Sequence, residues 1–228
     1  MRIVVYFINY NDSFYIPFFH KHYSKFCEKI IMYDNHSTDD SIAIAVSLGI
    51  EVRMFGQMGQ LNDQHYLDVK NHCWKEQRGY ADYVIVCDAD EFVCIDDLRG
   101  TLPVMKGYDM ISDSLPVNDI TEINTGEPSD NYSKQSIFDP NHITEINFIH
   151  GCHKNWRQGH ITSEGSCRLL HYRCIGGFER LFERHIMYRE RMSTFNLQHN
   201  MGHHYLQARA TKQLEWDLKQ RNKQILWY

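Results

Sequence analysis

Apolar positions in the first ninety residues fall into short unbroken runs, separated by stretches with helical spacing. RIVVYFI (residues 2–8) is continuously β-branched or aromatic after Arg2. It predicts a strand buried on both faces, as in parallel sheets covered by helices. SFYIPFFHKHYSKFC (13–27) predicts a helix that tolerates Pro17 in its first turn, and KIIMYD (29–34) a second strand. STDDSIAIAVSLG (37–49) predicts a helix with Ser37 or Thr38 as cap, acids in the first turn and Gly49 as its stop. IEVRMF (50–55) is a third strand, LNDQHYLDVKNHCWKEQRG (61–79) a helix and DYVIVCD (82–88) a fourth strand. This βαβαβαβ order implies an α/β fold with a mostly parallel sheet flanked by helices and right-handed crossovers.

The pattern changes after Gly107. YDMISDSLPV (108–117) and ITEINFI (143–149) predict strands, and the polar segment 118–140 between them a mobile or substrate-facing loop. The end of the chain predicts two helices, GGFERLFERHIMYRERMS (176–193) and YLQARATKQLEWDLKQRNKQILW (205–227). The second carries Leu206, Leu214, Leu218 and Ile225 at helical spacing. The expected division is a main α/β domain over 1–175 and a helical extension over 176–228 packed on it.

The chemistry concentrates where the fourth strand ends. Asp88, Asp90 and Glu91 follow Tyr83–Cys87 directly, and ligand crevices in open α/β sheets lie outside the carboxyl ends of strands. Asp88 and Asp90, two apart, point the same way in extended chain. Clustered carboxylates repel unless a cation joins them, and Mg²⁺ or Mn²⁺ suits oxygen ligands. The structural alternative is a solvated acidic turn. A calcium-binding EF-hand loop is excluded, because Phe92 and Val93 stand where it needs an acid or amide and a glycine.

Composition narrows the partners. The net charge is −5, but from Arg168 onward there are eleven Lys/Arg against five Asp/Glu, so the first 167 residues carry −11. Overall acidity argues against nucleic acid, while the basic C-terminal third suits phosphates, a membrane surface or solvent. Seven cysteines without a CxxC pair, and an N-terminus without a cleavage site, suggest a reduced cytoplasmic protein. No apolar run approaches the length of a membrane span.

NYND after the first strand, YDNHSTDDS after the second, VIVCDADEF, SKQSIFDP, TEINFIHGCH and LLHYRCIGGFERLFERH together resemble the glycosyltransferase family 2-like enzymes of the GT-A fold. The likeness is greatest to the bacterial branch that builds surface polysaccharide and lipopolysaccharide. It implies a hexosyltransferase-like enzyme that moves one sugar from a nucleotide-sugar donor to a hydroxyl of a glycan or lipid-linked acceptor. A divalent metal, Mn²⁺ or Mg²⁺, would sit on the diphosphate, and the anomeric configuration would invert. The chain departs from the processive members in lacking their QxxRW pattern, which points to single addition. Two rival readings are a sugar-1-phosphate nucleotidyltransferase, whose glycine-rich basic loop is missing from NYNDSF, and a non-catalytic glycan- or nucleotide-binding module.

The resemblance assigns residues. Asp90 would ligate the metal, Asp88 would reach the ribose or a metal-bound water, and Glu91 would hold the loop. His171 in LLHY occupies the place of a late histidine ligand. Asp34 would face the donor's base or ribose, with a helix-capping acid as the alternative. Asn9, Tyr10 and Asn11 would hold the nucleobase, and Asp63 would also face the donor, unless it only complements the helix dipole. The base that takes the acceptor proton is sought among Asp113, Glu145, His150 and His153, with Glu145 preferred. Lys134, His153, Lys154 and Arg157 would bind phosphate or acceptor, and Trp156 offers a face for sugar stacking. Arg180, Arg184, Arg189 and Arg191 on one helix would cover the diphosphate, rest peripherally on an anionic membrane at its inner face, or pair with neighbouring glutamates.

Overall fold

A computed structural model describes residues 1–149 and 152–226. Its first sheet is built from β1 (Ile3–Asn9), β2 (Lys29–Asp34), β3 (Glu51–Met54) and β4 (Tyr83–Asp88), all parallel, in the order β3-β2-β1-β4. Between them run α1 (Ile16–Tyr23), α2 (Ser41–Ser47) and α3 (Asp63–His72). Side chains of β1 alternate between two cores, as the two-residue period of a strand requires. Ile3, Val5 and Phe7 pack with Phe19, Tyr23 and Ala45 of α1 and α2, while Val4 and Tyr6 pack with Leu67 and Trp74 on the α3 side. The register aligns Asn9 with Asp34 and Ile8 with Asp88, so three strands end in one row.

Only Ala89 and Asp90 separate β4 from β5 (Glu91–Gly100), and with β5 a second sheet begins. It contains β6 (Val104–Ser112) and β7 (Thr125–Pro128). The short β8 (Ile137–Phe138) returns to close the edge of the first sheet beside β4. β9 (Ile143–Phe148) and β10 (Asn155–Gly159) form a separate antiparallel pair. The long β11 (Ser163–Ile175) runs between β5, antiparallel, and β6, parallel. α4 (Gly177–Glu190), α5 (Thr194–Gln198) and α6 (Arg209–Asn222) follow, and β12 (Gln224–Ile225) pairs with β7. A small third core joins Ile111 and Cys174 to Phe178 of α4 and Trp216 of α6.

The α/β class, the parallel first sheet and the helical C-terminal segment agree with the sequence pattern, but several element boundaries do not. The helix expected over 61–79 is α3 followed by a 3₁₀ segment at Cys73–Gln77. The cap expected at Ser37 or Thr38 lies too early: α2 starts at Ser41, and both hydroxyls bond the loop after β1 instead. The segment 118–140 is no bare loop, since it contains β7, β8 and two 3₁₀ turns. The last helix is shorter than its leucine spacing suggests. Leu206 lies in a 3₁₀ turn and Ile225 in β12, while Leu214 and Leu218 are 70% and 58% exposed. The helix packs through Trp216, on the opposite face.

Gly107 in β6 fixes the approach of the 3₁₀ turn at Asp130–Tyr132, because a Cβ there would collide with the backbone of Tyr132 and Ser133. Gly107→Ala should cost about 2 kcal/mol, a typical overpacking penalty, as a lowered urea midpoint. A wild-type midpoint would show that the turn yields freely.

Candidate functional site

The two-residue turn between β4 and β5 places three carboxylates where the two sheets meet. Glu91 accepts the Asp88 backbone N–H at 3.1 Å and so holds the turn. Lys70, in the last turn of α3, reaches Asp88 at 2.8 Å. Lys134 reaches Glu91 at 2.6 Å and Asp88 at 3.9 Å. Both lysines are buried. Asp90 is only 1% exposed and accepts from Arg173 Nε at 2.5 Å. The next side chain on the same stretch of β11, His171, places Nε2 3.6 Å from the same oxygen, Oδ2. His171 Nδ1 lies 2.9 Å from Asp109 of β6, whose other oxygen is ion-paired with Lys219 of α6. The ring of Tyr132 stacks on His171 with centroids 3.8 Å apart.

Burial opposes ionisation of Asp88, Asp90 and Asp109, but their partners outweigh it. Arg173 holds Asp90 below the usual carboxylate range, and Lys70 and Lys134 do the same for Asp88. Burial would discharge Lys134, yet Glu91 keeps its pKa raised. Asp12 behaves differently: burial pushes its carboxyl up despite the ion pair with Arg184.

Asp90 and His171 fit a divalent cation. Their facing atoms are 3.6 Å apart, too far for a hydrogen bond and close enough for two donors on one ion with bonds of about 2 Å. The hydrogen bond at Nδ1 is the outer-shell partner that metal-bound histidines ordinarily have. Among the described residues no group of three His, Cys, Asp or Glu could hold a metal, so the remaining ligands would come from substrate oxygens and water.

A cavity of about 550 Å³ opens over this cluster. It runs from Asp63, Tyr66 and Lys70 on α3, past the carboxylates, to Phe182 and His185 on α4 and Trp216 on α6. Of the residues expected from sequence, Asp63, Asp88, Asp90, Lys134, His153, His171 and Arg184 line it.

The other described site residues expected from sequence lie outside the lining of this cavity. Asp34 is fully buried and accepts from Asn9 Nδ2 at 2.7 Å, Ser37 N at 2.7 Å and Ser37 Oγ at 2.6 Å. It ties the β1 and β2 loops together, and Asn11 adds to this by bonding Thr38. Tyr10 lies under the Arg191 guanidinium, 3.0 Å from its ring centre, and is buried. Glu145 pairs with Lys75 at 2.6 Å outside the cavity, on the face of β9 opposite the buried Ile146 and Phe148. Asp113 is exposed near Lys223 and Gln220. Lys154 and Arg157 are exposed, and Trp156 is 75% exposed on β10, away from the cavity. His150 lies outside the described residues. The arginines of α4 are mostly turned inward: Arg180 bonds Tyr15 and Ile175, Arg184 pairs with Asp12, and Arg191 bonds Asn35 just past the helix. They present no continuous basic face to a membrane. No described helix is long and apolar enough to cross one.

Lys70, Arg173, Asp109, Tyr132 and Lys219 were not read from the sequence. Arg173 carries a signal, because it stands two residues from His171 and a strand puts such side chains on one face. The others meet only through the fold.

No protein-family model and no curated protein sequence matches the chain. Among solved structures, glucosyl-3-phosphoglycerate synthase from Mycobacterium tuberculosis with Mn²⁺, uridine diphosphate and glucosyl-3-phosphoglycerate is 19% identical. That match covers 40% of this chain and 34% of that one, with a TM-score of 0.28. The same enzyme with Mg²⁺ and uridine diphosphate is 20% identical over the same shares, also at 0.28. A mycobacterial protein is 15% identical over 50% of this chain and 42% of its own, at 0.30. The chain thus spans about a third of the length of the synthase it matches.

Asp90 and Arg173 form a buried pair, and removing one partner of such a pair is costly. Asp90→Asn should destabilise the fold by about 3 kcal/mol at pH 7 in urea unfolding. The Asp90 pKa is lowered on folding, so its contribution is present above the unfolded pKa and is lost as pH falls toward the folded one. The gap between variant and wild type should therefore narrow below about pH 4. A gap unchanged from pH 7 to pH 3 would assign the stability to something other than this ion pair.

Proposed function

We propose that the protein is a metal-dependent glycosyltransferase of the GT-A type that moves one sugar from a nucleotide sugar to an acceptor hydroxyl. The observation that carries this reading is the pair Asp90–His171, with facing atoms 3.6 Å apart, at the carboxyl end of a parallel strand and beneath a cavity. Asp90 and His171 would hold Mn²⁺ or Mg²⁺, and the imidazole favours Mn²⁺. The bound ion would supply neutralising charge for the departing nucleoside diphosphate.

The chain's own charges explain how donor and ion would arrive. Asp88, Asp90, Glu91 and Asp109 are matched by Lys70, Lys134, Arg173 and Lys219. A dication added to this balanced cluster has no counter-charge until a diphosphate joins it, so each strengthens the binding of the other. Lys70 and Lys134 stand beside the carboxylates to orient the phosphates. The donor's nucleoside would lie at the Asp63–Tyr66 end of the cavity, since Asp34 is already bonded within the chain.

His153 takes the role of base. It lines the cavity and, of the other three candidates, Asp113 and Glu145 do not, while His150 is not described. Its Nδ1 lies 3.0 Å from the Asn131 carbonyl, which accepts its proton and leaves Nε2 as the acceptor atom. Burial lowers its pKa, so it is neutral near pH 7. A base of this kind takes the acceptor hydroxyl's proton as the acceptor oxygen bonds to the anomeric carbon and the nucleoside diphosphate leaves from the opposite face, a single displacement that inverts the sugar. The acceptor in this reading is a hydroxyl of a growing glycan or of a lipid-linked sugar, as in surface-polysaccharide assembly. The nucleotidyltransferase reading has no glycine-rich loop after β1 to support it.

Mn²⁺-supported hydrolysis of a panel of nucleotide sugars tests the proposal. One donor should turn over, and excess chelator should stop it. His153→Ala should lower kcat by about 10²- to 10⁴-fold without changing the Mn²⁺ titration. In wild type, kcat should hold through the ordinary histidine range and fall only at lower pH, because burial lowers the His153 pKa. No turnover with any donor, or full turnover in chelator, would overturn the metal-dependent reading.

A further inference from the structure

Asp109 and Lys219 belong to no expected role, yet half-buried Lys219 and buried Asp109 form a chain that ends on His171. Asp109 is 4% exposed in the second sheet, and the register pairs it directly with His171 across β6 and β11. One carboxylate oxygen faces His171 Nδ1 at 2.9 Å; the other is ion-paired with Lys219, which Glu127 also contacts at 3.1 Å. Tyr132 stacks flat on the imidazole at an interplanar angle of 19° and fixes its plane.

The two nitrogens of His171 are treated unequally. Nδ1 is within hydrogen-bond distance of a carboxylate, and Nε2, at 3.6 Å from Asp90, is not. Asp90 Oδ2 already accepts from Arg173. A structural imidazolium bridging two acids would draw both within hydrogen-bond range. The observed asymmetry assigns the ring proton to Nδ1 and leaves the Nε2 lone pair directed at Asp90.

We propose that Asp109 and Lys219 are positioning residues: Asp109 holds His171 in the Nδ1–H tautomer with Nε2 free to ligate a divalent cation, and Lys219 of the C-terminal helix α6 holds Asp109. The inference rests on the metal reading of Asp90 and His171. It makes α6 part of the site, although Lys219 is 110 residues from Asp109 in sequence. Lys219 holds Asp109 turned toward the ring by pairing with the carboxylate oxygen that does not face His171. An amide at position 109 has no fixed preference, because it can present N–H to Nδ1 and reverse the tautomer.

Mn²⁺ binding followed by electron paramagnetic resonance, with UDP, GDP or dTDP present, reads this without turnover. Asp109→Asn should weaken Mn²⁺ affinity by about 10- to 100-fold, the usual effect of removing an outer-shell partner. Long-range ¹⁵N spectra should show His171 Nε2 unprotonated in the metal-free wild type and protonated in a substantial fraction of the variant. Lys219→Met should weaken Mn²⁺ in the same direction, and Lys219→Arg should restore it. If Asp109→Asn does not fold, the Lys219 pair decides: Met weak and Arg restored supports the proposal, whereas wild-type affinity in Lys219→Met overturns it. Wild-type affinity in a folded Asp109→Asn also overturns it. If wild type binds no Mn²⁺ with any of the three nucleotides, the metal reading itself falls and this inference with it.

Discussion

The arrangement depends on keeping three carboxylates ionised in a nearly dry place. β4 ends in Asp88, the chain turns through Ala89 and Asp90, and β5 begins at Glu91 between the two sheets. An isolated buried carboxylate would shed its charge by taking a proton. Here each acid has a cation from a different part of the chain: Lys70 from α3, Lys134 from the segment before β8, Arg173 from β11. The ion pairs thereby tie the first sheet, the second sheet and the flanking helix to one point. Such pairs contribute little net stability against an apolar core, but breaking any one of them is costly. Their evident product is a charged, ordered floor beneath a cavity.

That floor also explains the use of the C-terminal third. The arginines of α4 do not form a surface patch, because Arg184 neutralises Asp12 and Arg191, just after the helix, covers Tyr10 and bonds Asn35. α6 contributes Trp216 to the small third core and Lys219 to Asp109. The excess positive charge after residue 168 thus answers the acidity of the first 167 residues within the molecule.

Much of the first half was legible in the sequence because its strands are buried on both faces, and such runs stand out whatever surrounds them. Asp88, Asp90 and His171 were legible as a chemical pattern. Legibility ended where meaning depends on a partner distant in sequence. β5 and β11 are long strands with mixed composition, and they become strands through pairings distant in sequence, β11 with β5 on one side and β6 on the other. Asp34 reads from sequence as a donor-facing acid or a helix cap, and its three hydrogen bonds, to Asn9 and Ser37, are visible only in the fold. Glu145 looked available because the pattern of a strand does not show that Lys75 faces it. The leucines of α6 have helical spacing but no partner, whereas the single Trp216 does.

The central claim is that Asp90 and His171 together receive a divalent cation. Anomalous diffraction at the manganese edge, on crystals grown with Mn²⁺ and a nucleoside diphosphate, tests it most directly. The account predicts one strong peak within bonding distance of Asp90 Oδ2 and His171 Nε2, with the diphosphate completing its shell. A structure that holds the nucleotide in the cavity, with no peak between these two atoms, would contradict it.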